Sequence, residues 1–226
     1  MAMTYDLLSV YPAKLLEYGL AMTYLVLFVP FWRYVQGGQR QPAAAPARAR
    51  ARPAAGWFQL PENVHLHPGH TWARLEPDGL VTVGVDDFAH RLVGPAVVAL
   101  PAVGARVAQG EPAVEIGDRL KMVPLASPVD GTVVAVNQAG LEEPGDPYGA
   151  GWLFKVKASR LAANLRQLLT GGRARGLLEE ASDRLSQRMD RELGQVMQDG
   201  GVPIHGIARV VAGDEWDSLA RGFFLT

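Results

Sequence analysis

A mainly β domain, preceded by a membrane-spanning helix and followed by helices, is the architecture this sequence predicts. Three observations carry that expectation. Short apolar-alternating runs are punctuated by Gly, Pro and Asp between residues 80 and 156, the rhythm of a small sandwich or barrel. Residues 15–35, LLEYGLAMTYLVLFVPFWRYV, form an apolar stretch about as long as a hydrocarbon core requires. Beyond Ser159 the apolar residues switch to three- and four-residue steps, the period of helices.

The N-terminal segment ends with interfacial aromatics, Tyr18, Trp32 and Tyr34, and no charge interrupts Tyr18–Trp32. Only Lys14 precedes the run, whereas Arg33, Arg40, Arg48, Arg50 and Arg52 follow it. The positive-inside rule therefore predicts a single-pass protein of the inner (cytoplasmic) membrane, with its folded part facing the cytoplasm. Residues 36–56 read as an Ala/Pro/Arg linker without apolar periodicity. The lipid bilayer is then an expected partner.

The strand candidates are Leu80–Val85, Ala96–Leu100, Ala105–Ala108, Ala113–Ile116, Lys121–Leu125, Thr132–Val136 and Trp152–Val156. Asp86–Val93 is a helical interruption that Asp86 is placed to cap, with Phe88, Leu92 and Val93 as its apolar stripe. Gly110–Gly131 reads as strand, tight turn and strand around Gly117-Asp118-Arg119, Gly117 being free to take positive φ. Leu161, Leu165, Leu168 and Leu169 share a helix face that Gly171-Gly172 would end. A second amphipathic helix is expected from about Arg175 to Gln198, through Leu178, Ala181, Leu185, Met189, Leu193 and Val196. The tail carries Trp216, Leu219, Phe223 and Phe224, which need a surface to cover them.

Composition excludes several chemistries. The chain has no cysteine, so disulfides, iron–sulfur clusters and thiol nucleophiles are absent together. A net charge of −1 gives no electrostatic case for nucleic-acid binding. His65, His67 and His70 are the only histidine cluster, and without a carboxylate at ligand spacing they are not expected to hold a metal. Asp86 and Asp87 read as a helix cap rather than an acid–base pair.

Several ordered motifs carry a family resemblance. They are His70-Thr71-Trp72, VTVGVDDFAHRLVG (81–94), LPAVG (100–104), SPVDGTVVAVN (127–137) and DPYGAGWLFKVKAS (146–159). Together they resemble the glycine cleavage system H protein across about half the chain, Leu66 to Leu178. The resemblance implies a lipoyl/biotinyl-type barrel-sandwich domain (57–174) with a helical C-terminal extension, and the second amphipathic helix and tail (175–226) go beyond it. It also implies a carrier and not an enzyme: a lysine at a hairpin tip bearing lipoate. Aligned without gaps from Gly110 to Gly131, that lysine slot falls on Leu120, and the family's preceding glutamate falls on Gly117. Lys121, the candidate lipoyl attachment, is one residue late, and in a strand such a slip turns a side chain to the other face. Leu120-Lys121-Met122 also resembles the biotinyl M-K-M, again with shifted spacing. A plain solvated lysine is the remaining alternative. The expectation is a non-catalytic structural or assembly subunit of a membrane-associated complex, its partners the complex's other subunits, with no cofactor. A working lipoyl carrier through Lys121 is the alternative.

Overall fold

The computed structural model describes residues 12–37, 56–118, 120–139, 145–192 and 203–225. The chain divides into two compact units, Met1–Arg50 and Ala51–Thr226.

In the first unit, helix α1 spans Pro12–Gly37, 26 residues. The expected helix is there, but the expected membrane span is not: among the described residues, no helix is long and apolar enough to cross a membrane. Helix length is not what fails. The charge-free stretch Tyr18–Trp32 is 15 residues, about 22 Å of helix, against a hydrocarbon core of about 30 Å. Residues 15–35 reach that thickness only by including the charged side chains Glu17 and Arg33. The single-pass inner-membrane placement and the cytoplasm-facing orientation fall with the span. The linker read at 36–56 lies almost wholly outside the described residues.

The second unit is the β domain. Strands β1 (His65–Leu66), β2 (Thr71–Leu75), β3 (Val81–Val85), β4 (Val97–Ala99), β5 (Arg106–Val107), β6 (Pro112–Gly117), β7 (Met122–Ala126), β8 (Gly131–Val136) and β9 (Phe154–Ala158) form two sheets. One has the order β1-β2-β3-β9-β8-β5 and the other β4-β6-β7. Every pairing between named strands is antiparallel. Thr71 Oγ1 on β2 donates to the Ala126 carbonyl on β7 at 2.9 Å, tying one sheet to the other. All seven strand candidates are present with ends shifted by one or two residues, and the β1–β2 pair is additional.

The VTVGV motif has a packing reason. All five residues of β3 are buried, and Trp72 lies across Gly84, where a Cβ would stand 2.6 Å from the indole ring. Trp72 Nε1 donates to the Val85 carbonyl at 2.8 Å, so the buried indole leaves no unpaired donor. Helix α2 (Asp87–Val93) is capped as the sequence predicts, Asp86 accepting from the Ala89 amide at 2.8 Å.

The SPVDG turn is held by Asp130, which is buried and accepts from Gln109 N (2.9 Å), Asn164 Nδ2 (2.7 Å) and Arg160 Nε (3.1 Å). These bonds, the Asn164 amide's first, hold its carboxyl below the usual carboxylate range. Asn164 belongs to helix α3 (Leu161–Gln167), so the turn and the first C-terminal helix are one polar unit.

Helix α4 spans Gly171–Glu192. Gly171-Gly172 therefore begin a helix instead of only ending one. Leu178, Ala181 and Leu185 are buried, which gives that part of the predicted apolar stripe a home on the domain's own surface, while Leu193 and Val196 lie outside the described residues. The tail folds as α5 (Ile207–Ala212), a 3-10 turn (Gly213–Glu215) and α6 (Trp216–Phe224).

Two outcomes are expected. Asp130→Ala strands the donors of Asn164 and Gln109 in a buried site, and should lower unfolding free energy by about 1–3 kcal/mol in urea melts. The second concerns His67, whose Nδ1 accepts from the Gly69 amide at 3.0 Å. Burial, and then repulsion from His70, lowers its pKa. The unfolded chain then takes up a proton near pH 6.5 that the folded one refuses. Its stabilising contribution is full above about pH 6.5 and is lost as pH falls toward the lowered folded value. Melts from pH 7.5 to 5 should show that decline, and His67→Asn, which keeps an acceptor but cannot protonate, should flatten it.

Candidate functional site: the β6–β7 hairpin and its C-terminal cover

Gly117 pairs with Met122 at the end of the hairpin, leaving residues 118–121 as its tip. Asp118 builds the turn. Its amide donates to the Lys121 carbonyl at 3.0 Å, and its Oδ1 accepts from the amides of Leu120 (2.9 Å) and Lys121 (2.8 Å). Those two backbone bonds, Leu120's first, lower the Asp118 pKa. Gly117 is not among the glycines with positive φ. It is required because a Cβ there would run into the Lys121 carbonyl oxygen, so the glycine serves close approach rather than a left-handed turn.

The tip places its two central candidates very differently. Leu120 is 93% exposed, the most prominent apolar side chain of the hairpin. Lys121 turns away from it, onto the tail. Its Nζ lies 3.1 Å from Asp217 Oδ1 on α6 and donates to the Asp214 carbonyl in the 3-10 turn. The Lys121 hydrogen bond is the first cause of a lowered Asp217 pKa. Four further contacts bind the tail to the same hairpin and to α2. Arg221 donates to the Met122 carbonyl. Arg209 of α5 lies 3.6 Å from Asp118 Oδ2, donates to the Val93 carbonyl, and stacks on Trp216 at 4.3 Å. The Gly206 amide donates to the Arg91 carbonyl at 2.8 Å.

Beneath these polar contacts the tail is anchored by aromatics. Phe223 and Phe224 are 4% and 2% exposed, Trp216 3%. Phe223 meets Phe88 at 5.0 Å, and Phe224 meets His70 at 6.0 Å. The sequence marked these tail residues as needing cover; they are themselves the cover.

The fit of a lipoyl group follows from this geometry. The only side chain at the tip that takes an acyl arm is Lys121, and its Nζ is committed to Asp214 and Asp217. As folded, the hairpin presents Leu120 outward and not a free amine. Attachment at Lys121 requires its contacts with Asp214 and Asp217 to be released.

The remaining candidates resolve as structural groups. His70 Nδ1 lies 2.7 Å from Asp86 Oδ2, is 2% exposed, and stacks on Phe88 at 4.5 Å. It adopts φ of 63°, so the His70-Thr71-Trp72 motif marks a strained bend before β2. Asp87 accepts from the Gln59 amide at 2.9 Å and from Arg91 Nε at 3.0 Å. Among the described residues, no group of three His, Asp or Glu side chains is placed to hold a metal. Tyr148, of the DPYGAGW motif, donates to the Gln59 carbonyl at 2.7 Å and accepts from the Asp87 amide at 3.2 Å. Burial pushes its pKa well up, so it acts as a neutral tie. Arg209, Asp214, Asp217 and Arg221 form the tail's side of the site and were not anticipated. Their signal was the tail's charge placed between apolar residues.

If Asp217 restrains Lys121, Asp217→Ala should increase the labelling rate of Lys121 by an amine-reactive ester severalfold. Lys155 and Lys157 should label unchanged, with peptide mass spectrometry reading each site.

The family model described as "Glycine cleavage H-protein" matches residues 65–181. A glycine cleavage system H protein of Mycobacterium avium is 40% identical over 129 residues, covering 54% of this chain and 98% of that protein. One from Thermobifida fusca is 44% identical over 113 residues, 48% of this chain and 89% of its own. A crystal structure of a glycine cleavage system H protein from Mycobacterium marinum is 30% identical, with a TM-score of 0.42, covering 55% of this chain and 98% of that one. The match ends inside α4, so α5 and α6, which hold the hairpin tip, lie beyond what the family model describes. That match spans more than half of the chain and takes in both sheets and the hairpin of this domain, and the chain belongs to the glycine cleavage H-protein family.

Proposed function

We propose that this chain is a non-catalytic docking or assembly subunit built on the H-protein fold, with the cofactor hairpin turned into a fixed surface. The observation that carries this reading is the engagement of Lys121 by Asp217 and Asp214, with Leu120 exposed at the tip instead. A carrier arm must leave its surface and reach partner sites. Here the tip lysine is one corner of a polar network that also uses Arg209, Arg221 and Asp118. The exposed Leu120 and the immobilised turn suit a contact surface for another protein, since rigid apolar anchors bind with little ordering cost.

A second reading has one observation in its favour. The Lys121 side chain is 41% exposed, so a lysine with solvent access does stand beside the tip. In that reading α6 withdraws, Lys121 is lipoylated, and the chain carries acyl or aminomethyl groups as the family does. Intact mass separates the two. Protein produced in cells with active lipoylation and supplied lipoate should have its unmodified mass under the docking reading. A lipoyl increment that disappears in Lys121→Arg would establish the carrier reading and overturn the first.

A further inference from the structure

The far side of α6 faces α4 across a cleft of about 310 Å³ that neither the hairpin nor the family match accounts for. Arg184, Arg188 and Arg191 reach it from α4, at helical spacing along one face, while Leu219 and Phe223 line it from α6. Glu215 is the one acidic residue in the lining. The cleft therefore combines three guanidinium groups with an apolar wall at Leu219, backed by the buried Phe223, and its volume suits a small molecule.

The arginines are only partly used by the protein. Arg184 donates through Nη2 to the Gly222 carbonyl at 2.7 Å and stacks over Phe223 at 4.7 Å, which fixes its plane beside the cleft. Arg191 donates through Nε to the Gln187 carbonyl at 3.2 Å. Arg188 Nε is buried without a hydrogen bond, with Glu192 Oε1 at 3.4 Å as its ion-pair partner. Three like charges on one helix face repel, and burying part of one costs more. An anion with several oxygens relieves both, because planar guanidinium forks match phosphate geometry.

We infer that the α4–α6 cleft binds a phosphate-bearing small molecule, its phosphates held by Arg188 and Arg191 and its body against Leu219. Arg184 orients the wall. Such a ligand draws together α4 and α6, the helix whose other side holds Lys121. The inference stands apart from whether Lys121 is acylated.

Calorimetric titration of the full chain with inorganic pyrophosphate, and separately with adenosine triphosphate, tests it. Saturable one-site binding is expected. Arg188→Gln and Arg191→Gln should each weaken it by about tenfold or more, the loss of a charge-assisted bond pair. Arg173→Gln, exposed at the start of the same helix, should bind as the unaltered protein does. Tighter binding of the nucleotide than of pyrophosphate is expected if the apolar wall takes the ligand's body. No saturable binding of either probe by the unaltered chain at millimolar concentration would overturn the site, whatever the variants do. So would affinities that are equal in Arg188→Gln, Arg191→Gln and the unaltered protein.

Discussion

Two phenylalanines close to the C-terminus set the terms for the site. Phe223 and Phe224 sit against Phe88 and His70, which are themselves stacked and tied to Asp86. Burying a phenylalanine contributes about 1.5–3 kcal/mol, and aromatic pairing adds about 0.5–1.5 kcal/mol. That is enough to hold a short helix that could not persist alone. Once α6 is fixed there, Asp217 and Arg221 have no choice of neighbour. They lie along β7 and reach Lys121 and the Met122 carbonyl. The polar contacts at the hairpin follow from an apolar one some distance away.

This order of cause explains why an exposed ion pair can matter here. In isolation, a pair as open as Lys121–Asp217 contributes little to stability. Its role is positional. With α6 already anchored, the pair selects one direction for the lysine side chain, and Asp118 fixes the backbone beneath it through two amide bonds. Leu120 is left as the outward residue. The hairpin tip is organised around a helix outside the family match.

Much of the domain was legible in the sequence because its determinants are local. Period-two runs gave the strands, Asp86 gave the α2 cap, and the ordered motifs gave the family. What was not legible depends on distance. β2 was missed because Thr71–Leu75, TWARL, mixes polar and apolar residues whose burial is set by partners far along the chain. Gly117 looked like a positive-φ turn residue, yet its constraint is a carbonyl four residues on. The span expected at residues 15–35 contains Glu17 and Arg33, and the charge-free stretch between them is too short for a hydrocarbon core. The tail's need for burial could be seen in Trp216 and Phe223, but nothing local says that it packs against Phe88, His70 and the β6–β7 hairpin.

The account stands on Lys121 being in contact with Asp217 within one chain. Zero-length carbodiimide coupling, which joins an amine to a carboxylate only when they touch, reads that contact directly. The account predicts an intramolecular amide between the Lys121 and Asp217 peptides in monomeric protein, lost in Asp217→Asn. Coupling of Lys121 to other carboxylates at the same yield, with none to Asp217, would contradict it.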